Sequence, residues 1–484
     1  MQKSHFEKYR GLPTQIKAGF CFFVCSFLQK GISTITTPIF TRLLTTAEYG
    51  KYTAFNSWLG IVTIFVSMNL SYGVYGQGLV KFDRERDAFS SSLQGLTLTL
   101  TSVWTAIYLA FRDFWNECFS LTTVQMLSML VMIWATAAFN FWACEQRVKL
   151  NYIKLVIITI VISLAKPLAG IAFVLHAEDK VTARILGLAL VELAGYGGFF
   201  FVQLRRGKKF YSTRFWKYAL MFNLPLIPHY LSQTVLNGAD RIMIQNMVGD
   251  EAAGIYGLAY SISLVMTLFN TALSQTMSPW IYQKIKMREE TDIAGISYIA
   301  LLVIAVVNLT LIALAPELVA IFAPLEYYDA IWVIPPVAMS TIFMFSYDLF
   351  AKFEFYYEKT KYIMAASMFG AVLNVVLNYI FIPIYGYYAA GYTTLVCYIV
   401  YVLTHYTFMR KICASYLGGV EIYTPKTLLK IYAGFTGCGF ALMVTYQHPV
   451  VRYGIIAAAM IIVFLQRKMI VRVLRQIISL RKQR

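Results

Sequence analysis

Three basic side chains fall inside long apolar stretches of this sequence, and polar residues recur beside them at helical spacing. Lys30 shares a helical face with Ser26, Thr34, Thr37 and Thr41, at steps of three and four residues. Arg241 ends a ladder of His229, Gln233 and Asn237, each four apart, with Asp240 beside it. Ser263, Thr267, Asn270 or Thr271, and Ser274 make a third stripe, and Lys166 stands before Pro167. Glu192, Asp240 and Asp348 are acids in similar settings, with Glu354 one and a half turns after Asp348. A charge at the bilayer centre costs about 2.5–3.5 kcal/mol on insertion scales, so such groups face a cavity or a partner. The chemistry on offer is binding. Cations attract an anion, hydroxyls and amides suit a polyhydroxylated ligand, and acids exchange H+ or Na+. Lys30, Thr34, Thr37, Lys166, His229, Gln233, Asn237 and Arg241 are therefore candidates for ligand binding, and Asp240, Asp348 and Glu192 for ion coupling. Structural alternatives stand beside each. Ser and Thr bond their own helix, His229 is satisfied in the bundle, Asp240 and Arg241 pair elsewhere, and Lys166 pairs with Glu192.

The elements that must carry these residues are membrane spans. The chain has 484 residues, 58% hydrophobic and 14% charged, with a mean hydropathy of +0.61. About 20 apolar residues cross a bilayer. Fourteen stretches qualify, near 18–42, 52–76, 88–111, 121–144, 155–176, 183–204, 218–246, 252–281, 294–315, 328–351, 362–383, 387–409, 428–446 and 450–466. Most of the 42 Lys and Arg residues lie on alternate connections and at the two ends. The other side holds Arg42, Lys51, Arg112, Lys180, Arg184 and Arg452. Positive connections stay in the cytoplasm, so both termini are expected there. The net charge of +18 is a topology signal that also touches anionic headgroups, and no nucleic-acid partner is expected. The first stretch lacks the cleavage site of a signal peptide. The seven cysteines form no framework, and no disulfide is expected. Every connection is too short for a soluble catalytic domain, and no cofactor or metal is expected.

The chain also repeats. Thr45–Tyr52 and Gly249–Tyr256 follow the first and seventh stretches with Gly50 and Gly254 204 positions apart, and Gly187 and Gly391 keep that offset. Six intervening spans make the repeats parallel, related by an axis along the membrane normal. The expected organisation is an N-lobe at 1–204, a basic cytoplasmic linker at 205–217, a C-lobe at 218–410, an additional helix pair at 411–466 and a basic amphipathic tail at 467–484. Thr45 and Glu48 fit a capping box, and Asp250 can cap the eighth span, with Glu251 in its first turn. Pro38, Pro225, Pro228, Pro335 and Pro336 are expected to kink their spans. Ile470, Val473, Leu474, Ile477 and Ile478 make the tail amphipathic, suited to lie on the cytoplasmic leaflet.

Specific strings then point to a family. Pro38-Ile39-Phe40-Thr41-Arg42-Leu43-Leu44-Thr45, continuing to Glu48-Tyr49-Gly50, resembles the first-helix signature of the polysaccharide transporter family, the flippases for lipid-linked oligosaccharides including O-antigen. Leu224-Pro225-Leu226-Ile227-Pro228-His229, Ala239-Asp240-Arg241, Gly254-Ile255-Tyr256 and Ala259-Tyr260 resemble their seventh and eighth helices. Lys359-Thr360-Lys361, Leu373-Asn374, Leu377-Asn378-Tyr379, Ile382-Pro383, Tyr385-Gly386 and Ala389-Ala390-Gly391 resemble the stretch through helices eleven and twelve. The resemblance covers about 15–410. It implies an all-α integral membrane fold of the multidrug, oligosaccharidyl-lipid and polysaccharide exporter type, with two pseudo-symmetric six-helix lobes around a central cavity and alternating access. It implies as substrate an undecaprenyl-pyrophosphate-linked oligosaccharide moved from the cytoplasmic to the periplasmic leaflet of a bacterial inner membrane, with membrane lipids and glycan-assembly proteins as further partners. Many members have twelve spans; those that flip peptidoglycan precursors share the added pair. A multidrug exporter on the same fold, a membrane polymerase or ligase, and a transport-inactive scaffold are the rival readings.

Overall fold

The computed structural model describes residues 14–465, and the amphipathic tail read over 470–484 lies outside them. Helix makes up most of each of the fourteen apolar stretches within the described residues, with a turn at 68–73 interrupting the second. In chain order the helices are α1 (Thr14–Leu43), α2 (Thr46–Ser67), α3 (Val74–Lys81), α4 (Arg86–Ala110), α5 (Arg112–Phe119), α6 (Thr123–Val148), α7 (Tyr152–Leu175), α8 (Lys180–Tyr196), α9 (Gly198–Gly207) and α10 (Thr213–Asn223). There follow α11 (Ile227–Met247), α12 (Asp250–Ser263), α13 (Met266–Met287), α14 (Thr291–Ala313), α15 (Ala315–Phe322), α16 (Ile334–Tyr356), α17 (Thr360–Tyr385), α18 (Tyr388–Tyr416), α19 (Pro425–Val444) and α20 (Pro449–Leu465). Among the described residues, nine helical segments are long and apolar enough to cross a membrane by length and composition. The number fourteen itself rests on the sequence.

Local chemistry sets the helix starts. Thr45 closes a capping box with Glu48, which opens α2 six residues before the apolar stretch read from the sequence. Thr122 and Gln125 do the same for α6. Asp250 departs from its expected role. Gly249 is the N-cap residue, and Asp250 sits inside the first turn, where it accepts a hydrogen bond from Gln245 at 2.9 Å and favours the helix dipole. Pro225 falls in the 3-10 turn that separates α10 from α11, so the seventh span is broken there. Pro335 and Pro336 start α16 instead of kinking it, at positions whose missing N–H costs nothing.

The chain divides into two compact units between Thr234 and Val235. Helix starts recur between them: Thr46 and Asp250 are 204 apart, and Lys180 and Tyr388 are 208 apart. The basic connection after α9 is packed into the first unit. Ser91 of α4 bonds the carbonyl and N–H of Lys209, and Trp216 donates to the Ser92 carbonyl at 2.9 Å. Gly95 and Gly207 permit this close approach, since a Cβ would lie 2.1 Å from the Phe210 oxygen and 1.9 Å from the Asp87 oxygen respectively. In the second unit α16 is the enclosed helix. Of its apolar window 83% is buried, against 17% for α7, whose apolar flank suits lipid. Phe345, Leu349, Phe350 and Phe353 anchor α16 in the core of that unit.

Candidate functional site

The first unit holds a polar cavity of about 390 Å³. Five helices and the turn after α2 supply its polar lining: α1 through Gln29, α2 through Thr63 and Ser67, the turn through Asn69 and Ser71, α6 through Thr136, Asn140 and Arg147, α7 through Thr159 and Lys166, and α8 through Glu192 and Tyr196. Thr136, Asn140 and Arg147 are spaced by four and seven, so α6 presents them on one face. Lys166 is ion-paired with Glu192, their side chains 28% and 7% exposed. Thr136 donates to the other carboxylate oxygen at 3.1 Å, and the Lys166 ammonium lies 5.3 Å from the centre of the Tyr196 ring. Gln29 reaches Ser163 at 3.2 Å. Pro167 leaves the Ser163 carbonyl without its helical donor, which softens α7 beside the lysine. The cavity thus carries two cations and one carboxylate, with amides and hydroxyls around them.

The residues expected from the sequence divide between the units. Lys30 is partly buried on α1, but from that helix the cavity takes Gln29. Thr34 and Thr37 donate to the carbonyls of Lys30 and Ser33 at 2.9 and 3.0 Å, the helix-internal bonding that was their alternative. His229 and Gln233 belong to the first unit, and His229 Nδ1 is buried with no partner among the described residues. Asn237, Asp240 and Arg241 belong to the second. Arg241 donates to the Asn237 carbonyl at 2.9 Å and stacks 3.9 Å from the centre of the Tyr260 ring.

Asp240 is fully buried. Tyr256 and Thr394 both donate to Oδ2, the latter at 3.4 Å, while Oδ1 has no partner among the described residues. Nearby on α17, Asn378 donates to Asn374 at 3.2 Å and accepts from Thr393 of α18. The Cys397 thiol lies close to Asn374 and within electrostatic reach of Asp240. A buried carboxylate with an open oxygen needs a proton or a cation. The carboxylate, amide and hydroxyl oxygens of this cluster are hard donors suited to either. Asp348 is engaged differently, with Lys352 at 2.5 Å and Ser274 at 2.6 Å.

Sequence reasoning missed several of these groups. Lys352 was assigned to a connection; its side chain is 3% exposed inside α16, because that helix runs on to Tyr356. Arg184 and Arg452, assigned to outer connections, are also buried, Arg184 between the rings of Phe40 and Tyr52 and Arg452 against Glu317. Arg147, Asn140 and Thr136 were missed as cavity residues, although their common face on the fourth span was a readable signal.

Over residues 16–285 the chain matches the family model described as "Polysaccharide biosynthesis protein", and over 225–380 the MatE model. Lsg locus putative protein 1 of Haemophilus influenzae is 25% identical over 213 residues, 41% of this chain, which spans about half (52%) of that relative's length. An uncharacterized membrane protein of the same organism is 19% identical over 374 residues, covering 74% of this chain and 88% of that one. Among solved structures, lipid II flippase MurJ in an inward closed conformation aligns with a TM-score of 0.68 at 13% identity, over 94% of this chain and 100% of that one. An inward-facing multidrug resistance MATE family transporter of the MOP superfamily aligns with a TM-score of 0.59 at 13% identity, over 80% and 95%. At these identities the likeness is one of fold: an all-α, multi-pass membrane transporter architecture. The solved neighbours are transporters, not enzymes.

Proposed function

Because the chain belongs to the polysaccharide biosynthesis protein family, we propose that it is a flippase. In this reading it carries an undecaprenyl-pyrophosphate-linked oligosaccharide from the cytoplasmic to the periplasmic leaflet of a bacterial inner membrane, with both termini in the cytoplasm. The observation that carries the reading is the polar cavity of the first unit. A pyrophosphate needs cations or oriented donors in a site shielded from water. Lys166 and Arg147 supply charge there, and Lys30 and Arg241 are the further cations assigned to the phosphates from the sequence. Gln29, Asn140, Thr136 and Thr159 offer the amides and hydroxyls that sugars require. The polyprenyl tail stays in the bilayer, where moving it costs nothing in apolar burial. The sequence has no Gly-x-x-x-x-Gly-Lys-Ser/Thr stretch, so an ion gradient, the membrane potential or consumption of the product drives turnover. Asp240 is the coupling acid in this scheme, taking H+ or Na+ at its open oxygen.

Complementation tests it. A strain lacking its own oligosaccharide flippase should regain surface glycan when it expresses this chain. The double variant Lys166→Ala, Arg147→Ala should not restore it at matched membrane abundance. Normal export by the double variant would remove the cavity from the reading. The second reading, a cation-coupled multidrug exporter, draws on the MatE match over 225–380. Drug resistance conferred on a susceptible host, without glycan export, would favour it.

A further inference from the structure

A deeply buried ionisable pair lies outside both sites. Glu354, in the last turn of α16, meets His405 of α18 with Oε1 and Nδ1 2.7 Å apart and side chains 0% and 1% exposed. Their other polar atoms, Glu354 Oε2 and His405 Nε2, have no partner among the described residues. Tyr347 stacks on the imidazole at 5.3 Å between ring centres, and Tyr401 meets it edge-on at 4.6 Å.

The remaining titratable groups nearby are engaged elsewhere. On α16, Asp348 and Lys352 pair with each other and with Ser274 of α13. From α17, Ser367 ties down the Tyr401 hydroxyl at 2.9 Å, and Tyr362 stacks on Phe408. Tyr282 of α13 lies against Tyr356, Tyr432 of α19 against Phe343, and Tyr423 against Phe350. The groups that face the pair are thus two phenols, and neither carries charge at neutral pH.

Counting charge sets the proton content of this seam. Sealed from water, the pair is neutral only with a single proton, either as acid with neutral imidazole or as carboxylate with imidazolium. A bare charge of either sign is strongly disfavoured there. Both arrangements leave a polar valence unmet on each side chain, which water would satisfy if the helices parted. The path is short, because Glu354 is within one turn of the end of α16.

We propose that Glu354 and His405 form a proton-binding site, which takes up one proton when the seam between α16 and α18 closes and releases it when the seam opens to water. Open to water, an imidazole loses its proton near pH about 6.5 and a carboxylate near about 4.3. Above about pH 6.5 the open pair therefore holds no proton and the closed pair holds one. Closure is fully favoured between about pH 4.3 and 6.5, where the open pair also holds one proton, and loses about tenfold per unit above that window, the slope for one proton. This site makes the second unit sensitive to pH whichever ligand the protein carries.

Hydrogen–deuterium exchange of the full-length protein in nanodiscs tests the proposal. Peptides spanning 347–356 and 401–409 are followed from pH 6 to 8.5, each relative to the chemical rate of the free peptide. In the wild type, opening of both should rise about tenfold per pH unit above about 6.5. Glu354→Gln keeps a hydrogen bond to neutral imidazole without needing a proton, so its protection should be flat. His405→Gln leaves a lone carboxylate, which in the open state loses its proton near pH about 4.3, so its seam should already open tens of fold more than the wild type's at pH 6. Wild-type protection that is flat across the range overturns the site even if neither variant accumulates. A Glu354→Gln slope as steep as the wild type assigns the proton elsewhere and also overturns it.

Discussion

Lys166 shows what one side chain does with two demands on it. Its charge is held by Glu192 in a cavity where an anionic ligand would compete for it. Removing one member of a buried pair strands the other, at up to about 3–5 kcal/mol. Lys166→Ala should therefore lower the thermal unfolding midpoint as well as transport. Glu192→Gln should leave abundance nearer normal and strengthen binding of a polyprenyl pyrophosphate, measured by native mass spectrometry. Weaker binding in Glu192→Gln would mean the carboxylate helps to build the ligand site. Lys30→Ala and Arg241→Ala should abolish surface glycan at matched expression, with Lys30→Arg partly restoring it. Normal export by both variants would move the phosphate site elsewhere. Thr34→Val should be mild, because that hydroxyl is spent on the Lys30 carbonyl, a bond of about 0.5–1.5 kcal/mol. The polar stripes were legible as residues at helical spacing. Which stripe faces the cavity was not, since Gln29 and Lys30 are adjacent and only packing separates them.

At the scale of the element, helix starts were more legible than helix ends. The Thr45–Glu48 capping box is a local hydrogen-bond pattern and is present in the structure. Residues 352–356 carry Lys352 and Glu354 into α16 against any hydropathy rule, because Asp348 pairs with Lys352 and His405 shares a hydrogen bond with Glu354. The connection after α9 shows the same dependence on distant partners. Its attachment to α4 relies on two glycines with no room for a methyl group. Gly95→Ala and Gly207→Ala should each destabilise the protein by about 1–3 kcal/mol, read as a lower melting midpoint in detergent. Gly434→Ala, inside α19 where nothing lies within 4 Å, should leave the midpoint unchanged or raise it slightly. Equal midpoints in all three variants would mean the connection relaxes freely.

For the whole molecule, the charge pattern predicts orientation. Alkaline phosphatase fused after residue 484 should be inactive, and fused within 317–327 it should be active. The reverse would overturn the assigned topology, and an active fusion near 418 would require redrawing the last helix pair. Deleting 470–484 should lower membrane abundance or leave it unchanged while sparing transport per molecule. A large loss of specific transport at normal abundance would give the tail a working role.

The sequence by itself determined the class of the protein, the positions of its apolar helices and the family. Each of these follows from local composition, from turn and cap chemistry, or from short strings. The tertiary structure decided which polar groups meet. It joined Lys166 to Glu192, enclosed Asp240 with Tyr256 and Thr394, drew Lys352 inward to Asp348, and sealed Glu354 against His405. Those partners lie on different helices, Asp348 and Lys352 excepted, and the rotation of each helix about its axis is set by packing against its neighbours. Spacing along one helix tells which residues share a face, and only the packed bundle tells what that face meets.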